Sequence, residues 1–218
     1  MHLCLCRPLP AIVALVLWLG AQGPWANDAL RMARAAQRLG PRAVAAMPSL
    51  QSLLAHSASL DDEGRLAAVN GFFNRRIVFA EDSEVWGQAD HWASPLEVLA
   101  VGRGDCEDYA IAKYFSLVAI GMPVARLRLV YVSAQVGAGS QAHMVLAYYA
   151  SANAEPLILD NLITELRPAS RRPDLVPVFS FNSEGLWQGV GTQSAGDPQA
   201  RLSRWRDVLA KARAEGFL

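Results

Sequence analysis

Cysteine is scarce. Three occur in 218 residues, and two of them, Cys4 and Cys6, stand near the start. Charge of one sign is missing as well: 20 basic residues face 20 acidic ones, which gives no footing for a nucleic-acid partner. The longest apolar run, residues 11–19, falls short of the ~20 residues that a membrane-spanning helix needs. No Cys/His group has zinc-ligand spacing, and no EF-hand loop is present. Internal repeats and low-complexity tracts are also absent.

What the first 26 residues do contain is an export pattern. Arg7 supplies the positive end, residues 11–19 the apolar stretch, and Ala21, Gly23 and Ala26 the small residues of a cleavage site. Residues 1–26 therefore read as a signal peptide and 27–218 as one domain with a core; an uncleaved membrane anchor is the alternative. Removing the leader leaves 19 basic and 20 acidic residues and a single thiol, Cys106. An exported chain with one cysteine cannot close an internal disulfide. Its thiol is inert and buried, shared between chains, or reactive.

The stretch Gly102-Arg103-Gly104-Asp105-Cys106-Glu107-Asp108-Tyr109 reads as a loop entering a helix, followed by an apolar stripe at Ala110, Ile111, Tyr114, Leu117 and Val118. Gly121 and Pro123 end that helix. Cys106 thus meets free backbone N–H groups and the positive end of the helix dipole, which favour a thiolate. Asp105, Glu107 and Asp108 oppose it by their charge. A nucleophile among carboxylates makes sense if a hard cation such as calcium binds there; the other reading is that the acids only cap the helix.

Around this stretch the sequence predicts helices first and strands later. Helices are expected over 27–39, over 42–56 with a break at Pro48, from Ser59 onward, and at the capping box Ser94-Pro95-Leu96-Glu97. Strands are expected over 126–132, 143–149, 157–159 and 176–181, with a flexible connection over 133–141 and a mobile loop over 185–198. One amphipathic helix closes the chain over 198–214. That order argues for an α+β domain with an antiparallel sheet.

Thiol catalysis needs a nucleophile, a base and a group that orients the base. The order Cys106, His143, Asp160 supplies all three if His143 begins one strand and Asp160 ends its antiparallel neighbour. Each residue has a plainer reading too: a small buried hydrophobe, an edge histidine, a turn former. His56 and His91 read as structural or surface residues, and Trp86, Trp92, Trp187 and Trp205 as core or cleft walls.

Several stretches resemble the bacterial transglutaminase-like cysteine proteinases. They are Trp92-Ala93-Ser94-Pro95-Leu96-Glu97, the run from Gly104 to Tyr114, His143-Met144-Val145-Leu146-Ala147-Tyr148-Tyr149 and Leu159-Asp160-Asn161-Leu162. The resemblance extends to residues 69–74 and 202–206 and spans most of the mature chain. It implies a papain/transglutaminase-like fold with Cys106 as nucleophile, His143 as base and Asp160 as its orienter. It also implies a required calcium ion (Ca2+) held by Asp105 and Glu107, with Asp108. The implied setting is the periplasm. The implied substrate is the N-terminal region of a large surface adhesin, cut at a di-alanine site. Control would come from the periplasmic domain of an inner-membrane cyclic di-GMP receptor. His91 departs from the tyrosine expected before Trp92. The same three residues would also serve acyl transfer to amines, and a non-catalytic calcium-binding module is the remaining alternative.

Overall fold

The computed structural model describes residues 24–218. The signal-peptide reading of residues 1–26 falls, over 1–23, outside the described residues. Helix α1 (Pro24–Leu39) ends at Gly40, whose positive φ of 105° turns the chain into α2 (Pro41–Ala58). The expected break at Pro48 does not occur. Proline removes one hydrogen bond, to the carbonyl of Val44, but Val44 is exposed and solvent can reach that face. The buried face of Ala43, Ala46, Met47, Leu50 and Leu54 holds the helix continuous. Asp61 caps α3 (Asp62–Arg76) by accepting from the Gly64 N–H at 2.9 Å.

The next segment is short and site-forming. Strand β1 (Val78–Phe79) leads to α4 (Asp82–Val85) and then α5 (Pro95–Val101), which starts with the full Ser94–Glu97 capping box. Gly102, at φ 74°, ends α5 and opens β2 (Arg103–Gly104), which pairs in parallel with β1. That pairing sets residues 78–82 beside the start of α6 (Cys106–Ala119).

Beyond α6 lies a seven-stranded antiparallel sheet in the order β6-β5-β4-β3-β7-β8-β9. Its strands are β3 (Leu127–Val136), β4 (Gly139–Tyr148), β5 (Leu157–Leu159), β6 (Arg167–Pro168), β7 (Leu175–Phe181), β8 (Leu186–Gln188) and β9 (Ser194–Gly196). Residues 133–141 are not a flexible connection. They extend β3 and β4 to a two-residue turn, where Gly137 takes the positive φ of 61° that such a hairpin demands. Residues 185–198 are likewise no mobile loop, since β8 pairs with β7 and β9 with β8, and Arg128 stacks 3.9 Å from the Trp187 ring.

The chain closes as two helices rather than one, α7 (Pro198–Arg201) and α8 (Ser203–Glu215), broken at Leu202 where ψ is 90°. Helix α6 packs on β4 and β3, and α8 packs on α1 and, through Trp205, on α6. Trp205 is the largest fully buried side chain there. It stacks on Phe115 at 5.5 Å, meets Phe181 edge-on at 5.2 Å and donates to the Asn182 carbonyl at 3.1 Å. Among the described residues no helix is long and apolar enough to cross a membrane. Trp205→Ala is expected to lower stability by about 3–5 kcal/mol in urea unfolding, because the cavity cannot close between a helix and the sheet.

Candidate active site

Cys106 is the first residue of α6, half-buried, with its thiol donating to the Glu107 carboxylate at 3.1 Å. It faces β4, where the Met144 backbone N–H points at its sulfur. His143, the residue before Met144, and Cys106 line one cleft of about 410 Å³, walled also by Trp92, Tyr131 and the exposed Phe79 and Leu162.

His143 does not begin its strand, contrary to expectation; it lies inside β4, opposite Val132 of β3. The β4–β5 ladder stops at Leu146 opposite Leu159. Continued by one step, that register sets Asp160 opposite Val145, two residues from His143 and on the same face. The two side chains meet diagonally, His143 Nε2 to Asp160 Oδ1 at 2.7 Å, both almost wholly buried.

Asp160 is heavily tied. Its Oδ1 also accepts from the N–H groups of Asn161 at 2.7 Å and Leu162 at 3.2 Å, and its Oδ2 accepts from Arg172 at 2.7 Å. Burial alone raises a carboxyl, yet His143, Arg172 and the Leu162 N–H outweigh it and bring Asp160 to about 2. With Nε2 donating to an ionised Asp160, the neutral ring keeps Nδ1 as its free acceptor.

The other side of the cleft has the opposite electrostatics. Carboxylate oxygens of Asp82, Asp90, Asp105, Glu107 and Asp108 form overlapping sets close enough to share a metal ion. Burial, then like charge from Glu107 and Asp108, pushes Asp105 up; burial also raises Glu107, Asp108 and Asp82. The Cys106 thiol rises too, first by burial and then by the charge and hydrogen bond of Glu107.

These residues fit a hard cation. Asp82 Oδ1, Asp105 Oδ1 and Asp108 Oδ2 are buried without a hydrogen-bond partner among the described residues. Asp105 sits at the N-cap yet makes no side-chain cap bond, so the capping reading fails for it. Asp108 does bond to a backbone group, accepting from Ala93 N–H at 2.8 Å. A Cβ at position 104 would collide with the Asp108 carboxylate, so Gly104 is what lets the acids close around this point.

Asp105, Glu107 and Asp108, read from the sequence, share the cluster with Asp82 and Asp90, which the sequence does not single out. The β1–β2 pairing, a long-range contact with no local signature, brings Asp82 in, and the Asp82 carboxylate accepts the His91 N–H. Arg172 and the buried Lys113 were not legible as site residues either. Nothing in their spacing points to Asp160, and only the fold sets them against it.

A thiol at a helix start, packed on an antiparallel sheet that carries an imidazole and a carboxylate, is the frame of a transglutaminase-like cysteine protease. The sequence pattern described as bacterial transglutaminase-like cysteine proteinase matches residues 50–193, and the chain belongs to that family. Among solved structures it is similar to LapG of Legionella pneumophila at 36% identity. The EGTA-treated form superposes with a TM-score of 0.74 over 84% of this chain and 97% of that one. The calcium-bound form gives 0.71 over 84% and 98%. No curated protein sequence matches the chain.

The two halves of the cleft predict opposite pH effects. Asp160, whose folded-state value lies below its unfolded one, stabilises by of order 2 kcal/mol at neutral pH, a contribution lost as pH falls from about 4 through about 2. Asp108 is raised, so its penalty is absent below about pH 4 and grows as pH rises. Asp108→Asn is therefore expected to raise the Tm of chelator-treated protein at pH 7.5, with the gain vanishing near pH 4. Thermal melts across that range check it, and an unchanged Tm at pH 7.5 would contradict it.

Proposed function

We propose that the chain is a calcium-dependent periplasmic cysteine endopeptidase, exported by its N-terminal signal peptide. It cuts a large surface adhesin in the N-terminal region at an alanine pair, which releases the adhesin and disperses biofilm. The periplasmic domain of an inner-membrane cyclic di-GMP receptor holds it in check. Family membership supports the peptidase class. The calcium-bound and EGTA-treated forms of Legionella LapG support the ion. The family resemblance of the sequence motifs supports the adhesin and the receptor. The observation that carries the chemistry is the buried 2.7 Å pair of His143 and Asp160 on the wall of the cleft into which Cys106 opens.

In this reading His143 Nδ1 takes the Cys106 proton, and the thiolate sulfur attacks the peptide carbonyl carbon. The oxyanion is met by backbone N–H groups at the start of α6, that of Cys106 among them. His143 then returns the proton to the leaving amine, and water, deprotonated by the same ring, releases the acyl group. Asp160 holds the tautomer and stabilises the imidazolium. Asp105, Glu107 and Asp108, with Asp82 and Asp90, would hold the calcium. Bound there, the ion supplies positive charge against the carboxylates and so lowers the cost of a thiolate at Cys106.

The test is cleavage of an adhesin N-terminal fragment carrying an alanine pair, with residues 27–218 as enzyme, in calcium and in chelator. Cleavage is expected in calcium only, none by Cys106→Ala at unchanged Tm, and a rate lower by about 10²–10⁴-fold for His143→Ala. Full cleavage by Cys106→Ala would sink the mechanism. Cleavage that survives complete removal of the ion would sink the role given to the carboxylates.

A further inference from the structure

Asp160 is 1% exposed, and a carboxylate so buried stays ionised only beside a compensating charge. His143 cannot supply that charge throughout a catalytic cycle, because the ring is neutral whenever it awaits the thiol proton. Four charged groups belong to this neighbourhood: His143 from β4, Lys113 from α6, and Arg172 with Asp174 from the segment that leads into β7. Lys113 reaches only the main-chain carbonyl of Asp160, at 3.1 Å, and burial lowers the lysine to about 7. Asn74 donates to the same carbonyl at 2.8 Å.

Arg172 differs from all of these. It is buried, permanently charged, and donates to Asp160 Oδ2 at 2.7 Å, on the opposite oxygen from His143. Asp174 holds it as well, accepting from Arg172 Nε on Oδ1 at 3.0 Å and from the same terminal NH2 group on Oδ2 at 2.7 Å, and the backbone N–H of Arg172 donates to the Ala169 carbonyl at 2.9 Å. Arg172 thus holds Oδ2 of Asp160, while Oδ1 takes the ring together with the N–H groups of Asn161 and Leu162.

We propose that Arg172 is a positioning residue for the peptidase reaction. It keeps Asp160 ionised and aimed, so that the His143 ring stays with Nε2–H on the carboxylate and Nδ1 free for Cys106. This rests on the reading of Asp160 as the orienter of His143. It extends that assembly to an Asp174–Arg172–Asp160–His143 chain, in which only Asp174 reaches solvent appreciably.

The experiment compares calcium-loaded wild type, Asp160→Asn, Arg172→Met, Arg172→Lys, Asp174→Asn and the double Asp160→Asn/Arg172→Met. Two readouts need no substrate: the rate of Cys106 alkylation by iodoacetamide at pH 7.5, and the His143 tautomer by ¹⁵N-histidine NMR. Asp160→Asn and Arg172→Met are each expected to slow alkylation by about tenfold to a hundredfold and to mix the tautomers. The double is expected to be no slower than the slower single, because both changes break one unit, and Arg172→Lys to recover most of the rate. Wild-type alkylation by Arg172→Met beside a slow Asp160→Asn would overturn this proposal alone. A wild-type rate for Asp160→Asn would overturn the orienter reading and the proposal with it. Should Arg172→Met fail to fold, Asp174→Asn decides. It leaves Arg172 in place but loosened; several-fold slowing that disappears in an Asp160→Asn background supports the proposal, and an unchanged rate overturns it.

Discussion

The mutual repulsion of carboxylates around the first turn of α6 is the constraint on which the rest of the site depends. Asp105, Glu107 and Asp108 come from that turn, Asp82 from the start of α4, and Asp90 from the loop before α5. No local preference would gather them. The β1–β2 pairing, the absence of a side chain at Gly104, and the Ala93 N–H that anchors Asp108 hold them together against their charge. Three oxygens in the group lack partners among the described residues, and the thiol of Cys106 is drawn to Glu107. The arrangement is a set of donors shaped for a cation, with the Cys106 thiol at its edge.

Across the cleft the same residue type behaves in the opposite way. Asp160 is as buried as Asp108, yet it is held about 2 while Asp108 rises. The difference is the counter-charge. Arg172 is built into the fold and cannot lose its proton, whereas among the described residues no cationic side chain bonds to Asp82, Asp105, Glu107 or Asp108, and only Asp90, at the exposed rim, pairs with one, Arg204 at 3.1 Å. On one wall of the cleft the counter-charge comes from the chain itself, and on the other the buried carboxylates fit a cation.

Much of this frame is legible in the sequence because it is local. The Ser94–Glu97 capping box, the helix that starts at Cys106 and the Gly121 stop are each set by a few neighbouring residues, and the structure has them there. So does the order of helices first and antiparallel strands later. The illegible parts are those that strand pairing and the tertiary fold decide. Residues 133–141 and 185–198 are glycine-bearing and polar enough to read as loops, but hairpin pairing with neighbouring segments draws them into the sheet. Pro48 reads as a break until the buried face of α2 is seen to outweigh one lost hydrogen bond. Asp82, Asp90 and Arg172 carry no spacing signal at all. The diagonal meeting of His143 with Asp160 follows from a register that the sequence does not state.

Cys106 is expected to stay a thiol until positive charge enters the carboxylate cluster. Residues 27–218 contain one cysteine, so thiolate absorbance near 240 nm reports Cys106 without interference from another thiol. Calcium added to chelator-treated protein at pH 7.5 is expected to raise this absorbance, and His143→Ala to abolish the rise. Equal thiolate in the chelator-treated and calcium-loaded proteins would contradict it.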